Sequence, residues 1–304
     1  MKGLEEAKAL YEAQGREMIR SLFPEYEGRI AAGLAGHGSE CFGFDDALSR
    51  DHDFEPGFCL WLTDADDLAI GARLAHACRE LFPPSVRERS AMGEKKLGVR
   101  RTSDFYRRYT GCSGAPETLE HWLSLPSWAL AEATNGEVWR DDLGEFSAIR
   151  KTLLHGMPED VRRKKIAARA AEMAQAGQYN YARCLAHGEP GAAQLALTEF
   201  VRSACSMVFL LNRAHAPYYK WIFRAMERLG KLAELKDALE FLLVGENDSA
   251  LKEGVIEDIC AQIIRELQHQ QLSDSRSDYL EAHACEVQER IESRTLRAMH
   301  LMEG

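Results

Sequence analysis

Gly38-Ser39-Glu40, followed after a short loop by Asp51-His52-Asp53-Phe54, is the stretch from which the rest of this chain is best read. Side chains at i and i+2 of a strand leave the same face, so Asp51 and Asp53 are expected to point together at one spot. Two hard oxygen ligands that close, beside a glycine turn able to approach an anion, suit a Mg²⁺ ion carrying a nucleotide's phosphates.

Upstream, Leu4, Tyr11, Met18 and Leu22 recur at helical spacing, which predicts an amphipathic helix over 4–23, weakly interrupted at Gly15 and ended by Pro24. The short apolar run Arg29–Gly36 reads as a buried strand entering the Gly38-Ser39 turn. Downstream, Phe58–Thr63 reads as a second buried strand, with Pro56-Gly57 before it predicting an edge position or a bulge. A helix is expected over 66–81, a strand around Leu97-Gly98-Val99 leading into a helix through Phe105, Tyr106 and Tyr109, and a strand at Glu137–Arg140 closed by a turn at Asp141–Gly144.

Beyond Pro158 the periodicity is helical throughout, with helices expected at about 159–176, 192–213, 218–229, 234–244, 250–270 and 274–301. Ile256, Ile259, Cys260, Ile263, Ile264 and Leu267 trace one apolar stripe. The expected class is α+β, with a small mixed-sheet domain over 1–155 and an all-α helical bundle over 156–304. No internal repeat or low-complexity linker separates them.

At 304 residues, the chain is long enough for two cores, and its 45% hydrophobic and 28% charged content is ordinary for a globular protein. The longest apolar run, around 206–211, is far short of the roughly 20 residues that cross a bilayer, so no membrane association is expected. The N-terminus goes directly into a charged amphipathic pattern without the features of a signal peptide, and a cytoplasmic location is expected. Eight scattered cysteines with no C-x-x-C pair read as reduced thiols. A net charge of −10 argues against broad nucleic-acid binding, although Arg100-Arg101 with Arg107-Arg108 form a basic cluster near the proposed site. The run Arg162-Arg163-Lys164-Lys165 reads as a solvated helix face.

With Gly38-Ser39, eleven intervening residues and Asp51-His52-Asp53, the chain resembles the DNA polymerase β-like nucleotidyltransferases, whose mark is a Gly-Ser turn opening a helix before D-x-D on the next strand. More closely, Gly36–Asp46, Ser49–Phe54, Asn135–Phe146 and Pro217–Trp221 resemble an uncharacterised bacterial family of nucleotidyltransferase-like proteins, a domain of unknown function. The resemblance covers most of residues 1–245. It implies that Gly38 and Ser39 hold the β- and γ-phosphates, and that Asp51 and Asp53 bind Mg²⁺, with Mn²⁺ as a substitute. The implied reaction moves a nucleoside monophosphate from a nucleoside triphosphate to a hydroxyl of a small-molecule acceptor.

The resemblance also implies a third carboxylate from a later strand, near Val99, where this chain has Arg100, Arg101 and Thr102. Asp104, Asp142 with its neighbour Asp141, and Glu40 are the alternatives, while Asp104 also reads as a helix cap and Asp141-Asp142 as turn residues. That departure leaves open a nucleotide-cleaving hydrolase or lyase on the same fold, or a degenerate nucleotide-binding module. His37 is a candidate for proton transfer beside the turn; His52, between two residues sharing a strand face, is expected to point away. In the helical half, Pro217 fixes a helix start, after which Tyr219 offers a ring to a base and Lys220 a charge to a phosphate. Arg183 is the candidate fork for a phosphate or carboxylate.

Overall fold

The computed structural model describes residues 2–47, 57–82, 97–246 and 248–304. They form two compact units, the first comprising Met1–Pro116 and Trp128–Gly156, the second Glu117–Ser127 and Met157–Gly304.

The first unit is α+β, built on a four-stranded mixed sheet of order β3-β2-β1-β4. It opens with α1 (Gly3–Leu10), a π-helical turn (Tyr11–Gly15) and α2 (Arg16–Leu22), which continue one another. The expected weak point at Gly15 is thus the end of a π turn, the form in which an interrupted helix keeps its backbone bonded. Then come β1 (Ala31–Leu34), the short helix α3 (Ser39–Phe42), β2 (Cys59–Leu62) and α4 (Ala72–Leu81). β3 (Gly98–Arg101) leads directly into α5 (Thr102–Thr110), and α6 (Ser127–Thr134) precedes β4 (Glu137–Arg140) and α7 (Glu145–His155).

β1 lies antiparallel to both β2 and β4, while β2 and β3 run parallel. The register pairs Gly33 with Cys59 and Cys59 with Gly98, so the C-terminal end of β1 and the starts of β2 and β3 share one end of the sheet. β2 is an inner strand, which overturns the edge position expected from Pro56-Gly57. The register shift falls instead on the β1–β4 pair, between Ala32 and Gly33.

One sheet face carries Ala32, Leu60 and Leu62 into a core with Tyr11, Ile19, Ile70 and Leu74. On the other face Trp61 stacks on Phe146 at 3.9 Å and meets Phe105 edge-on at 5.6 Å. Alternation of side chains across the strand produces the two faces, and both are covered, as the apolar content of β2 requires.

The second unit is all-helical. Its central helices are α8 (Glu159–Met173), continued through a π-helical stretch (Ala174–Tyr181) into α9 (Ala182–Ala186), and α10 (Pro190–Leu211). α11 (Leu235–Val244), α12 (Ser249–His269), α13 (Leu280–Glu289) and α14 (Arg294–Ala298) complete the bundle. The stripe Ile256, Ile259, Cys260, Ile263 and Leu267 enters its core as the spacing requires. α10 is long and apolar enough to cross a membrane by length and composition, but 61% of its most apolar window is buried inside the unit, as in a core helix.

Two expectations fail here. The helix expected over 274–301 is broken in two, because Ser273–Tyr279 forms a loop and α13 ends at Glu289. The run 162–165 is no solvated face either: Arg162 is 3% exposed and Lys164 fully buried. α8 buries residues on several of its sides, Val161, Ile166, Ala167, Ala170 and Met173 among them, so Arg162 and Lys164 bond inward.

Candidate functional site

The turn after β1 is built on two glycines with positive φ, Gly36 at +111° and Gly38 at +124°, a region that costs L side chains heavily. At Gly36 a Cβ would also meet the Tyr109 hydroxyl at 2.8 Å. Beyond them the chain turns into α3, closed by Cys41 N–H donating to Gly38 O at 3.2 Å and Phe44 N–H to Ser39 O at 2.9 Å.

Asn135 holds this turn from outside. Its Oδ1 accepts from Gly36 N–H and its Nδ2 donates to Gly36 O, both at 2.8 Å, so one amide copies the pairing of a strand neighbour. Asn135 is in turn fixed by Gly136, whose N–H donates to Cys41 O at 2.8 Å, and by Arg150, whose Nη2 donates to Asn135 O and Gly136 O at 3.2 Å. Gly136 has φ +65°, and a Cβ there would stand 1.9 Å from Leu34 O, so only glycine fits. The sequence does carry a signal for this, the Asn135-Gly136 dipeptide before β4, but its partner lies 99 residues away.

His37 is exposed, with its Nδ1 3.4 Å from Glu132 Oε1, and Glu132 is itself buried. Glu40 is buried on α3. The Tyr109 hydroxyl is pushed up to about 12, chiefly by burial and then by the Glu132 charge, and so stays a neutral donor beside Gly36.

Asp51, His52 and Asp53 lie outside the described residues. The described chain resumes at Gly57, and β2 begins beside Gly33 at the end of the sheet that carries the Gly36–Ser39 turn. Two other candidates stand at the opposite end. Asp104 follows the C-terminal end of β3, where Arg101 pairs with Leu62, and it binds Arg107 Nη1 at 2.8 Å. Asp142 follows Arg140, which pairs with Ala32 near the start of β1, and it accepts from Arg140 Nε and Nη2 at 2.9 and 2.6 Å. Asp141 acts as a turn residue, taking Gly144 and Ser147 N–H at 3.0 and 2.7 Å. Among the sequence candidates for a third carboxylate, Glu40 alone shares the end with the turn.

The remaining candidates belong to the second unit. Tyr219 and Lys220 lie in a 3-10 turn (Tyr219–Trp221), Tyr219 exposed with its ring 4.3 Å from that of Tyr218, and Lys220 Nζ 4.9 Å above the Trp221 ring. Arg183 is exposed, its guanidinium 5.4 Å over the Tyr179 ring. Among the described residues no group of three His, Cys, Asp or Glu side chains is arranged to hold a metal ion.

A family model described as "Domain of unknown function (DUF4037)" matches residues 122–222, which include Asn135–Arg140 and Pro217–Trp221 but neither Gly38 nor Asp51. No curated protein matches the chain. Among solved structures it is similar to the crystal structure of a nucleotidyltransferase-like protein from Exiguobacterium sibiricum 255-15, at 13% identity, over 92% of this chain and 81% of that one, with a TM-score of 0.37.

Proposed function

We propose that this chain is a Mg²⁺-dependent nucleotidyltransferase that moves a nucleoside monophosphate from a nucleoside triphosphate to a hydroxyl of a small molecule. The observation that carries the reading is the Gly36–Ser39 turn: two positive-φ glycines, clamped by Asn135, at the end of the sheet where β2 begins. Gly38 lets the main chain approach the β- and γ-phosphates, and the Ser39 hydroxyl donates to them. Asp51 and Asp53 would hold Mg²⁺, or Mn²⁺ in its place, which neutralises charge on the phosphates. The acceptor's oxygen forms a bond to the α-phosphorus as the bond to the bridging oxygen breaks and pyrophosphate leaves. Glu40 takes the place of the third carboxylate in this reading.

Incubation with Mg²⁺ and each nucleotide, with and without a pool of small alcohols, tests it by chromatography. Pyrophosphate release that depends on an acceptor is the expected result. Turnover without an acceptor points to nucleotide cleavage, and binding without turnover that survives Asp51→Asn points to a degenerate module. Asp53→Asn is expected to abolish turnover with an unchanged melting temperature, since the amide keeps the size and weakens the metal bond. Full activity of that variant overturns the metal assignment.

A further inference from the structure

We propose that the second unit carries a mononucleotide-binding surface of its own, on which the ring of Tyr219 stacks with the base and the ammonium of Lys220 holds the phosphate. This goes beyond the transfer reaction and stands without it.

The surface lies at the turn that follows Pro217. Trp221 N–H donates to Tyr218 O at 2.9 Å and closes the 3-10 turn. Behind it the short helix Ile222–Met226 packs Ile222, Phe223 and Met226 against the core of the unit. Those apolar side chains anchor the segment, so the core does not need the two tyrosines: Tyr218 is 49% and Tyr219 74% exposed. Their rings brace each other at 4.3 Å and 44°, which leaves Tyr219 a rigid ring presented to solvent. Two large aromatic side chains exposed at adjacent positions mark a binding surface, because a chain gains nothing by leaving them wet.

The charge fits a phosphate. The segment from Arg213 to Lys231 carries five cations, Arg213, Lys220, Arg224, Arg228 and Lys231, against Glu227 alone, in a chain of net charge −10. Its outer cations are already neutralised, Arg213 by Glu159 at 2.9 Å and Lys231 by Glu266 at 3.3 Å. Lys220 has no carboxylate partner among the described residues, and its Nζ rests 4.9 Å above the Trp221 ring. An aromatic face holds an ammonium in place without cancelling its charge, so an arriving phosphate displaces no carboxylate. Tyr219 and Lys220 are neighbours in the chain, with Cα atoms about 3.8 Å apart, so ring and charge can serve the two ends of one nucleotide. One ring and one such lysine suit a single nucleotide rather than a strand, which needs cations along successive phosphates.

The test is calorimetric titration of the full chain with AMP in EDTA, with ribose 5-phosphate as the control lacking a base, followed by photocross-linking of 8-azido-AMP and peptide mapping. The parent is expected to bind AMP at least about tenfold tighter than ribose 5-phosphate, the difference that base stacking supplies. Tyr219→Ala brings AMP down to the level of ribose 5-phosphate, Tyr219→Phe keeps the parent affinity, and Lys220→Gln weakens both ligands. All three variants are expected to melt with the parent, because both side chains are exposed. The label is expected within residues 214–224. Equal AMP affinity of parent and Tyr219→Ala, no AMP binding by the parent, or a label confined to the first unit overturns the proposal. A short oligoadenylate that binds more than about a hundredfold tighter than AMP also overturns it, by making a strand the occupant. Tyr219-dependent AMP binding without pyrophosphate release sinks the transferase reading alone, and pyrophosphate release with no label in 214–224 sinks this one alone.

Discussion

At the scale of single residues, the turn after β1 depends on side chains that never need to touch a ligand. Asn135→Ala removes both hydrogen bonds to the buried Gly36 backbone and leaves its N–H and C=O without their partner. At about 1 kcal/mol for each bond and more for an orphaned group, the expected loss is about 2–3 kcal/mol, read by denaturant unfolding. Asn135→Asp keeps the acceptor for Gly36 N–H and loses the donor, so its loss should be smaller. Gly136→Ala should cost roughly 3 kcal/mol or more, since the new Cβ would stand 1.9 Å from Leu34 O on a backbone with φ +65°. An alanine there that melts with the parent would show that the turn can shift. Gly38-Ser39 was legible in the sequence because glycine and serine carry their conformational meaning locally. The clamp was legible only in part, because Asn135-Gly136 marks a turn locally while the asparagine's partner lies 99 residues away.

At the scale of elements, short apolar runs between glycines and prolines identified the four strands of the described residues, because a buried strand needs little beyond β-compatible side chains and clear ends. Ser127–Thr134 escaped notice. Its residues are buried on almost every side, so it shows no stripe of period 3.6. The last stretch failed for another reason. In Ser273–Tyr279 the serine hydroxyls bond the backbone two residues on, Ser275 N–H to Ser273 Oγ at 3.2 Å and Tyr279 N–H to Ser277 Oγ at 3.0 Å, and such local bonds compete with a helix. Glu286 fastens this loop, accepting from Ser273 Oγ and Asp274 N–H at 2.7 Å and from Ser275 N–H at 3.0 Å. Those bonds, the Ser273 hydroxyl foremost, hold the Glu286 carboxyl below its usual range. With the folded pKa depressed, its contribution is complete above about pH 4.5 and is lost as pH falls through the lowered value. Melting temperature against pH should therefore fall less steeply below pH 4.5 in Glu286→Gln than in the parent, from a lower plateau at pH 7. Parallel curves would remove Glu286 from the acid sensitivity of the second unit.

At the scale of the molecule, each unit buries a core of its own, and the second is closed by interactions that span most of its length. Lys164, fully buried on α8, donates from Nζ to Gln288 Oε1 at 2.7 Å, His300 O at 2.8 Å and Leu301 O at 3.1 Å. Burial lowers its pKa, so the ammonium persists because three acceptors surround it. Asp160, four residues earlier, takes Glu292 N–H at 3.0 Å and Ser293 N–H at 2.7 Å, fixing the start of α14. Deleting residues 294–304 removes two of the three Lys164 acceptors and the buried Leu296 at once. A stranded buried charge costs about 3–5 kcal/mol, which at 2–4 °C per kcal/mol for a unit of this size is a drop of about 10 °C in melting temperature. The cause can be separated from lost apolar packing by a double-mutant cycle. Lys164→Met destabilises the full chain, because it orphans the same carbonyls, but in the truncated chain it removes a charge that has lost most of its partners. The expected coupling is therefore large, and the effect of Lys164→Met changes sign between the two backgrounds, recovering several degrees after truncation. Equal effects in both backgrounds would mean that the final segment holds the bundle through Leu296 alone.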